Sequence, residues 1–343
     1  MSSATRHTVP LENATLHGSF SRDHPPARTV RSGDAVEFTT LDGDWLLNLR
    51  KGPPVAHGDE WPGRRPVVDA GHALSGPVCV VGAAPGSVLA VRIVELRTAT
   101  WGWSRAGGRG VRHDRLLGVD DGDEHYLGWS LDTTTQTATS HDGHTVAMRP
   151  FMGVIGVAPA EPGVHSTHPP RATGGNIDCK ELVPGSTLYL PVAVDGALLS
   201  VGDGHAAQGD GEVGSTAIEC GMESVVVELA VVPDVRLTTP RARTPDAWIT
   251  FGFAESVDDA VYEALSDMTA LVQDLFGFER KEALNLCSQT VDLRVTQIVN
   301  GVLGVHAALP HGAIRPKVEV DPAAWWSRVP AAADPVRPVK DID

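Results

Sequence analysis

The sequence predicts a mainly β protein, a sandwich or barrel-like core of short strands followed by an α+β C-terminal part. Three observations predict it. Glycine and proline number 36 and 25 among 343 residues, about half as many again as average usage, and both suit turns while interrupting helices. Across residues 149–235 the apolar runs MGVIGVAP, STLYLPVAV, ALLSVGD and ESVVVELAVV recur between Gly, Pro and Asp-Gly turns, the spacing of packed strands. From Ser256 the period changes to that of a helix, with Val257, Ala260, Val261, Ala264, Leu265, Met268, Leu271, Val272 and Leu275 on one stripe.

Taken in order, residues 8–50 read as edge strands and loop, with Val36-Glu37-Phe38-Thr39 as a short alternating run and Leu41-Asp42-Gly43-Asp44 as its turn. Residues 76–97, GPVCVVGAAPGSVLAVRIVELR, place two β-branched runs on either side of Gly-Ala-Ala-Pro-Gly, which predicts a hairpin or two neighbouring strands. Residues 104–145 form a loop-rich, partly strand-forming insertion after WGW, rich in Arg and Asp. The patterned strands of 149–235 follow. Ser256 with Asp259 three residues on is an acidic variant of the helix-start signature, and Gly277 is a stop, so a helix is expected over about 256–276. A shorter helix over 280–289 and the strand-like DLRVTQIVNG and GVLGVHAAL come next. The last 25 or so residues, rich in proline, read as a surface-following tail. The expected division is a β-rich core carrying the site over 1–235 and an α+β part over 236–343.

A net charge of −15 and a pI near 5.3 give no general attraction to nucleic acid or to an anionic membrane, so neither is expected as a partner. No apolar run approaches the roughly 18 residues of a membrane span. The cysteines, Cys79, Cys179, Cys220 and Cys287, stand singly without the paired spacing of a zinc ribbon or redox dithiol. The first 30 residues lack the apolar stretch of a secretory signal, and the cytoplasm is the expected compartment.

Chemistry concentrates between Pro169 and Glu219. Asn176, Asp178, Asp203, His205, Gln208, Asp210, Glu212 and Glu219 alternate there with glycines beside apolar strands. In an extended chain the spacing of Asp203 and His205, and of Asn176 and Asp178, puts each pair on one face. Two such pairs in one cleft offer oxygen and nitrogen ligands to a hard or borderline divalent cation. The competing reading is local: Asp-Gly is a common turn, and Asp195, Asp203 and Asp210 each precede glycine. Against turns alone stands the density of the cluster, because buried carboxylates, amides and imidazoles need satisfying and coordination does this.

The segments GGNIDCKEL, STLYLPVAVDGALLSVGDGHAAQGDGEV and TAIE, with HALSGPVCVVGAAPGSVLAVRI, PFMGVIGVAP and WGW, resemble the acetamidase/formamidase family over residues 30–310 or so. The resemblance implies hydrolysis of a short linear amide to carboxylate and ammonia, usually with a divalent metal, on a β-rich fold with an α+β C-terminal part. It also implies a homodimer or higher homo-oligomer. The chain departs from the family pattern at Ala73, where Pro usually follows the His, at Ser87, where Asp follows Pro-Gly, and at Thr173, where many members carry His. Amide hydrolysis needs an activated water, a held oxyanion and a protonated nitrogen. On that basis Asp178, Asp203 and His205 are the expected metal ligands, with His72 and Asn176 as further candidates, and Glu212 or Glu219 as the proton shuttle. The donor set points to zinc first, then Mn, Fe or Ca. Trp101 and Trp103 are expected either to line a small acyl pocket or to pack in the core. Cys179 reads as a buried small residue.

Other hydrolase signatures are missing. There is no Gly-x-Ser-x-Gly elbow, no Walker A loop and no Gly/Ser-rich nucleophile segment with a lysine partner. Two other functions stay compatible with the sequence: a non-catalytic β-rich binding or scaffold protein, and a hydrolase of another C–N or S–N bond on the same fold.

Overall fold

The computed structural model describes residues 5–47 and 61–316. The predicted Pro-rich tail lies outside the described residues. The N-terminal region contributes β1 (Arg6–Val9), β2 (Leu16–His17), β3 (Arg28–Arg31) and β4 (Ala35–Thr40). The alternating Val36–Thr39 run is not an edge strand: β4 lies between β1, which it pairs in parallel, and β14 (Glu219–Val232). Its Val36 and Phe38 are fully buried on one face, and both edges are paired.

The two runs of residues 76–97 form β5 (Leu74–Val81) and β6 (Val88–Ala106), but they do not pair with each other. β5 joins β2, β3 and β13 (Leu199–His205). β6 joins β12 (Thr187–Pro191), β14 and β7 (His125–Asp132). The link between them is a six-residue passage rather than a two-residue turn. Ser87 Oγ closes it by donating to the Ala84 carbonyl at 2.7 Å and accepting from the Ala84 amide at 3.2 Å. A longer partner then wins β6: β14 matches it from Glu219–Trp103 to Val232–Val88. Residues 104–145 continue β6 into a meander of β7, β8 (Thr137–Ser140) and β9 (Thr145–Ala147), with the short α1 (Arg112–Leu117) on the first connection.

The strands predicted between 149 and 235 are β10 (Phe151–Gly156), β11 (Gly174–Asn176), β12, β13 and β14. Asp203-Gly204 is not a turn; it sits inside β13, with Asp203 at a φ of 58°. Beyond 235 come β15 (Arg241–Arg243), β16 (Ala247–Ala254), α2 (Val257–Phe276), α3 (Arg280–Thr290), β17 (Asp292–Asn300) and β18 (Val302–Pro310). The protein is therefore mostly β, with one large, mainly antiparallel, branched sheet of 18 strands and a few helices. Pairing of β12 with β15 carries the sheet through residue 235. The main core draws Phe38, Ile93, Leu199 and Val225 together with Ile249 and Phe251.

A second core lies between α2, α3 and β18. The predicted stripe of α2 is buried at Ala260, Ala264, Met268, Leu271, Val272 and Leu275. Ser256 Oγ accepts from the Asp259 amide at 3.1 Å, satisfying one of the free donors of the first turn. Gly277 ends the helix in the left-handed region, where its lack of a Cβ costs nothing. No helix among the described residues is long and apolar enough to cross a membrane.

Candidate active site

The antiparallel ladder brings the charged residues together. His205 ends β13 and Glu219 begins β14, and the two are register partners. Asp203 lies two residues back along β13. On the other side β10 pairs with both β13 and β11, placing Phe151 opposite His205 and Val154 opposite Asn176. The chain leaves β11 through Asp178, anchored by amides of Ile177 and Asp178 that donate to the Gly153 carbonyl. Asp178, Asp203, His205, Glu212 and Glu219 are all buried. Gly153 keeps the middle of the group open: a Cβ there would lie 2.5 Å from Asp178 Oδ1 and 2.8 Å from Asp203 Oδ2. Three of the carboxylates, Asp178, Asp203 and Glu212, sit on residues with φ of 52°, 58° and 47°. Such backbone costs about 1–3 kcal/mol per residue and persists where the surroundings impose it, a pattern concentrated at functional sites.

His205 is the hub. Its Nε2 lies 3.4 Å from Asp203 Oδ2 and 3.2 Å from Glu219 Oε2, and its Nδ1 lies 3.7 Å from Asp178 Oδ1. None of these approaches has hydrogen-bond geometry. Burial opposes charge on the imidazole, but the Glu219 and Asp203 carboxylates override it and hold its pKa well above the usual range. Burial also disfavours the charge of Asp203, yet His72 and His205 keep that carboxyl below the ordinary carboxylate range. Burial raises Asp178, Glu212 and Glu219, the last to about 7, and mutual carboxylate repulsion adds to each.

Neighbouring groups aim these side chains. Asn300 Nδ2 donates to Asp178 Oδ2 at 2.5 Å, and Gln208 Nε2 donates to the Asp178 carbonyl at 2.9 Å. Asn176 Nδ2 donates to the His168 carbonyl at 3.1 Å, which leaves Asn176 Oδ1 to face the cleft. Thr167 Oγ1 accepts from the His72 amide at 2.8 Å and lies 2.9 Å from His72 Nδ1. Glu219 Oε1 accepts from the Ala217 amide at 2.9 Å.

Asn176 Oδ1, Asp178 Oδ1, both ring nitrogens of His205, Glu212 Oε2 and Glu219 Oε2 are buried without any hydrogen-bond partner. The ion pairs to His205 offset part of this burial, but buried polar atoms without a hydrogen bond cost roughly 1–3 kcal/mol each, so the group is suited to holding something further. A divalent cation fits. The donors are carboxylate, amide and imidazole, the set suited to zinc or manganese. Asp178, Asp203 and His205 place one donor atom each within 4.8 Å of the others, as do His205, Glu212 and Glu219.

A sequence profile described as the acetamidase/formamidase family matches residues 5–168 and 160–311. The chain belongs to this family. Among its relatives are the formamidase of Methylophilus methylotrophus, 28% identical over 253 residues covering 59% of this chain and 60% of that protein. The acetamidase of Mycolicibacterium smegmatis is 29% identical over 264 residues, covering 60% and 63%. The chain thus spans about three fifths of the length of these two relatives. A crystal structure of a predicted acetamidase/formamidase from Thermoanaerobacter tengcongensis superposes with a TM-score of 0.78 at 29% identity, covering 90% of this chain and 96% of that one.

Against the acetamidase/formamidase pattern, the three departures all fall away from the cleft lining. Thr173 spends its carbonyl on the Val157 amide, Ser87 closes its own turn, and Ala73 packs in a small apolar cluster. The cleft is lined by His72, Asn176, Asp178, Asp203, Glu212, Glu219 and Trp103, with His205 beneath. Trp103 also donates from Nε1 to Asp42 Oδ2 at 2.8 Å. Trp101 does not line the cleft. Strand alternation predicts a shared face, but the β6–β14 ladder slips between Gly102–Cys220 and Thr98–Met222, and Trp101 lies in the slipped stretch. Sequence reasoning passed over His168, Asn300, Arg105 and Arg109, which line the same cleft. Asn300 closes the strand-like run DLRVTQIVNG and carries no mark of chemistry there; the arginines register in the sequence only as charge in the 104–145 segment.

Proposed function

We propose that this protein hydrolyses a short linear amide of the formamide or acetamide type to carboxylate and ammonia, in a cleft that takes a divalent cation. Asp178, Asp203 and His205 would hold the ion, with His72 and Asn176 beside them. The observation that carries the reading is the convergence of unpartnered buried donors from β11, β13, β14 and the 206–218 loop on one small cleft. Its volume of about 150 Å³ is below the roughly 300–1,000 Å³ of sites for drug-sized ligands, which supports a substrate of few heavy atoms. Family membership supports the reaction class.

When bound, the cation supplies Lewis acidity, lowering the pKa of a water and polarising the amide carbonyl. The chain's own residues do the rest. Glu212 is the shuttle: its Oε2 has no hydrogen-bond partner and faces the cleft, and a cation beside it would offset the burial that raises its pKa, so as a carboxylate it can accept a proton from water and return it to the departing nitrogen. Glu219 is the poorer choice, because one oxygen accepts from the Ala217 amide and the other lies against His205. Its part is to hold the imidazole in place. Trp103 and the β6–β7 connection close one wall and limit water.

The test is ammonia release from formamide and acetamide by the purified protein, before and after chelation, with divalent metals restored singly. Activity lost with chelator and regained with one metal supports the proposal; no ammonia under any metal overturns it. Glu212→Gln is expected to keep the metal content and lose turnover by about 10²–10⁴-fold, the usual worth of a positioned acid or base. A second reading, hydrolysis of another C–N or S–N bond, is favoured by Arg109 at the cleft, whose charge suits an anionic substrate, Arg105 being ion-paired with Glu124 at 3.4 Å; a panel of amides, ureas and sulfamates separates the two. Assembly as a homodimer or higher homo-oligomer, in the cytoplasm, belongs to the same proposal and is read by light scattering and fractionation.

A further inference from the structure

Just past Asp178 the chain carries a second group of ligand-type side chains that faces away from the cleft. Cys179 is fully buried and Glu181 nearly so, and both meet His306 from the middle of β18. Cys179 Sγ lies 3.4 Å from Glu181 Oε2, and His306 Nε2 lies 3.7 Å from the same oxygen. One donor atom from each residue falls within 4.8 Å of the other two.

We propose that Cys179, Glu181 and His306 form a second cation site, distinct from the cleft, that takes a borderline divalent ion such as zinc, with water as a fourth ligand. The decisive atom is His306 Nε2. The side chain is fully buried, its Nδ1 is engaged by Thr296 Oγ1 at 2.8 Å, and its Nε2 has no hydrogen-bond partner. A metal-bound histidine has this arrangement, one ring nitrogen fixed by a neighbour and the other presenting its lone pair. A proton shared between the Cys179 thiol and Glu181 satisfies those two groups but leaves His306 Nε2 without a hydrogen-bond partner, whichever ring nitrogen carries the proton.

The sulfur already stands at coordination spacing from the shared oxygen, and the imidazole would close by about 0.4 Å. Zinc bonds of about 2.3 Å to sulfur and 2.0 Å to nitrogen or oxygen, at tetrahedral angles, put sulfur roughly 3.5 Å and nitrogen roughly 3.3 Å from a shared carboxylate oxygen. Thiolate with imidazole and carboxylate selects zinc over magnesium or calcium. A thiolate and a carboxylate also cancel the charge of the ion, as a buried site requires. Outer groups fix the ligands: Arg294 Nη1 donates to Glu181 Oε1 at 3.1 Å, leaving Oε2 for the ion. Glu181 and Arg294 reach solvent, which gives the ion a way in. Binding would tie the segment that carries Asp178 to β18, making the site a support for the cleft.

The wild-type, full-length protein, stripped with chelator and titrated with Co²⁺, decides the matter. The cleft donors include no sulfur, so a thiolate-to-cobalt charge-transfer band in the near ultraviolet reports on the second site alone. The expected result is such a band in the wild type, its loss in Cys179→Ser, its retention in Cys220→Ser, and at least tenfold weaker cobalt binding at that site in His306→Gln. Zinc content should fall by one equivalent per chain in Cys179→Ser. A cobalt-saturated wild type with no thiolate band, or a band that survives Cys179→Ser, overturns the proposal. The wild-type spectrum needs no variant to fold.

Discussion

At the scale of single residues, the site depends on one position with no side chain. Gly153 lies between β11 and β13, and any Cβ there would press on Asp178 Oδ1, Asp203 Oδ2 and His205 Cε1 at 2.8 Å or less. Its φ is not in the left-handed region, so the backbone tolerates alanine and the cost is steric. Gly153→Ala is therefore expected to leave the fold intact while moving two carboxylates off their positions. Displacements near 1 Å at a reacting centre can cost about 10²-fold in rate. Ammonia release should fall by that order, and metal content by atomic emission should fall with it. Unchanged metal content and rate would show that the carboxylates around Gly153 are not the working donors.

At the scale of elements, the α2–β16 contact is as tight as the site itself. A Cβ on Gly252 would lie 2.0 Å from the Ala260 carbonyl, so Gly252→Ala must push the helix off the sheet. Overpacking of this kind costs about 1–3 kcal/mol, read as a lower urea midpoint with an unchanged slope. Ser256→Ala, which removes the helix cap together with the Ser256 Oγ bond to Asp259 Oδ2, should cost about 1 kcal/mol in the same assay. These elements also mark what the sequence reveals. The helix is legible because cap, stripe and glycine stop are all local signals, and the strands between 149 and 235 are legible because their turns are. Pairing is not. Nothing near β5 or β6 says that they part company, since their partners β13 and β14 lie more than a hundred residues on. Asp178, Asp203, His205, Glu212 and Glu219 stand out as chemistry in one dense segment. Asn300 reaches the cleft from the end of β17, far along the chain, and His168 from the loop just ahead of that segment, and the bulge that removes Trp101 has no signature of its own. Cys179 looks inert in sequence because Glu181 offers a partner but His306 does not announce itself.

At the scale of the whole molecule, histidines buried without charge contribute to the loss of stability in acid. His17 on β2 lies with Nδ1 2.7 Å from the Ser19 carbonyl and Nε2 3.1 Å from Ser200 Oγ on β13, pinning the N-terminal region to the sheet. Burial first, and repulsion from His24 second, lower its pKa from 6.5 to about 4. A group whose pKa is depressed on folding is neutral in the native state over a range where the unfolded chain takes up a proton. Its contribution is therefore full above pH 6.5 and is lost as pH falls from 6.5 towards 4, by about 3 kcal/mol at 1.36 kcal/mol per unit. Asp42 runs the other way: burial raises its carboxyl to about 6, so it destabilises the fold near neutrality and ceases to do so as pH falls. The two slopes overlap, and the wild-type curve alone cannot separate them. The difference between wild type and His17→Asn does, because Asp42 is common to both. The variant is expected to be less stable at pH 7, having lost the imidazole's packing, and to lose about 3 kcal/mol less than wild type between pH 7 and pH 4. Urea unfolding at pH 7.0, 5.5 and 4.0 (assay values set by the roughly 6.5 and 4 pKa bounds) measures this directly. Parallel pH curves for the two proteins would mean that His17 titrates normally and that the acid limb belongs to other groups.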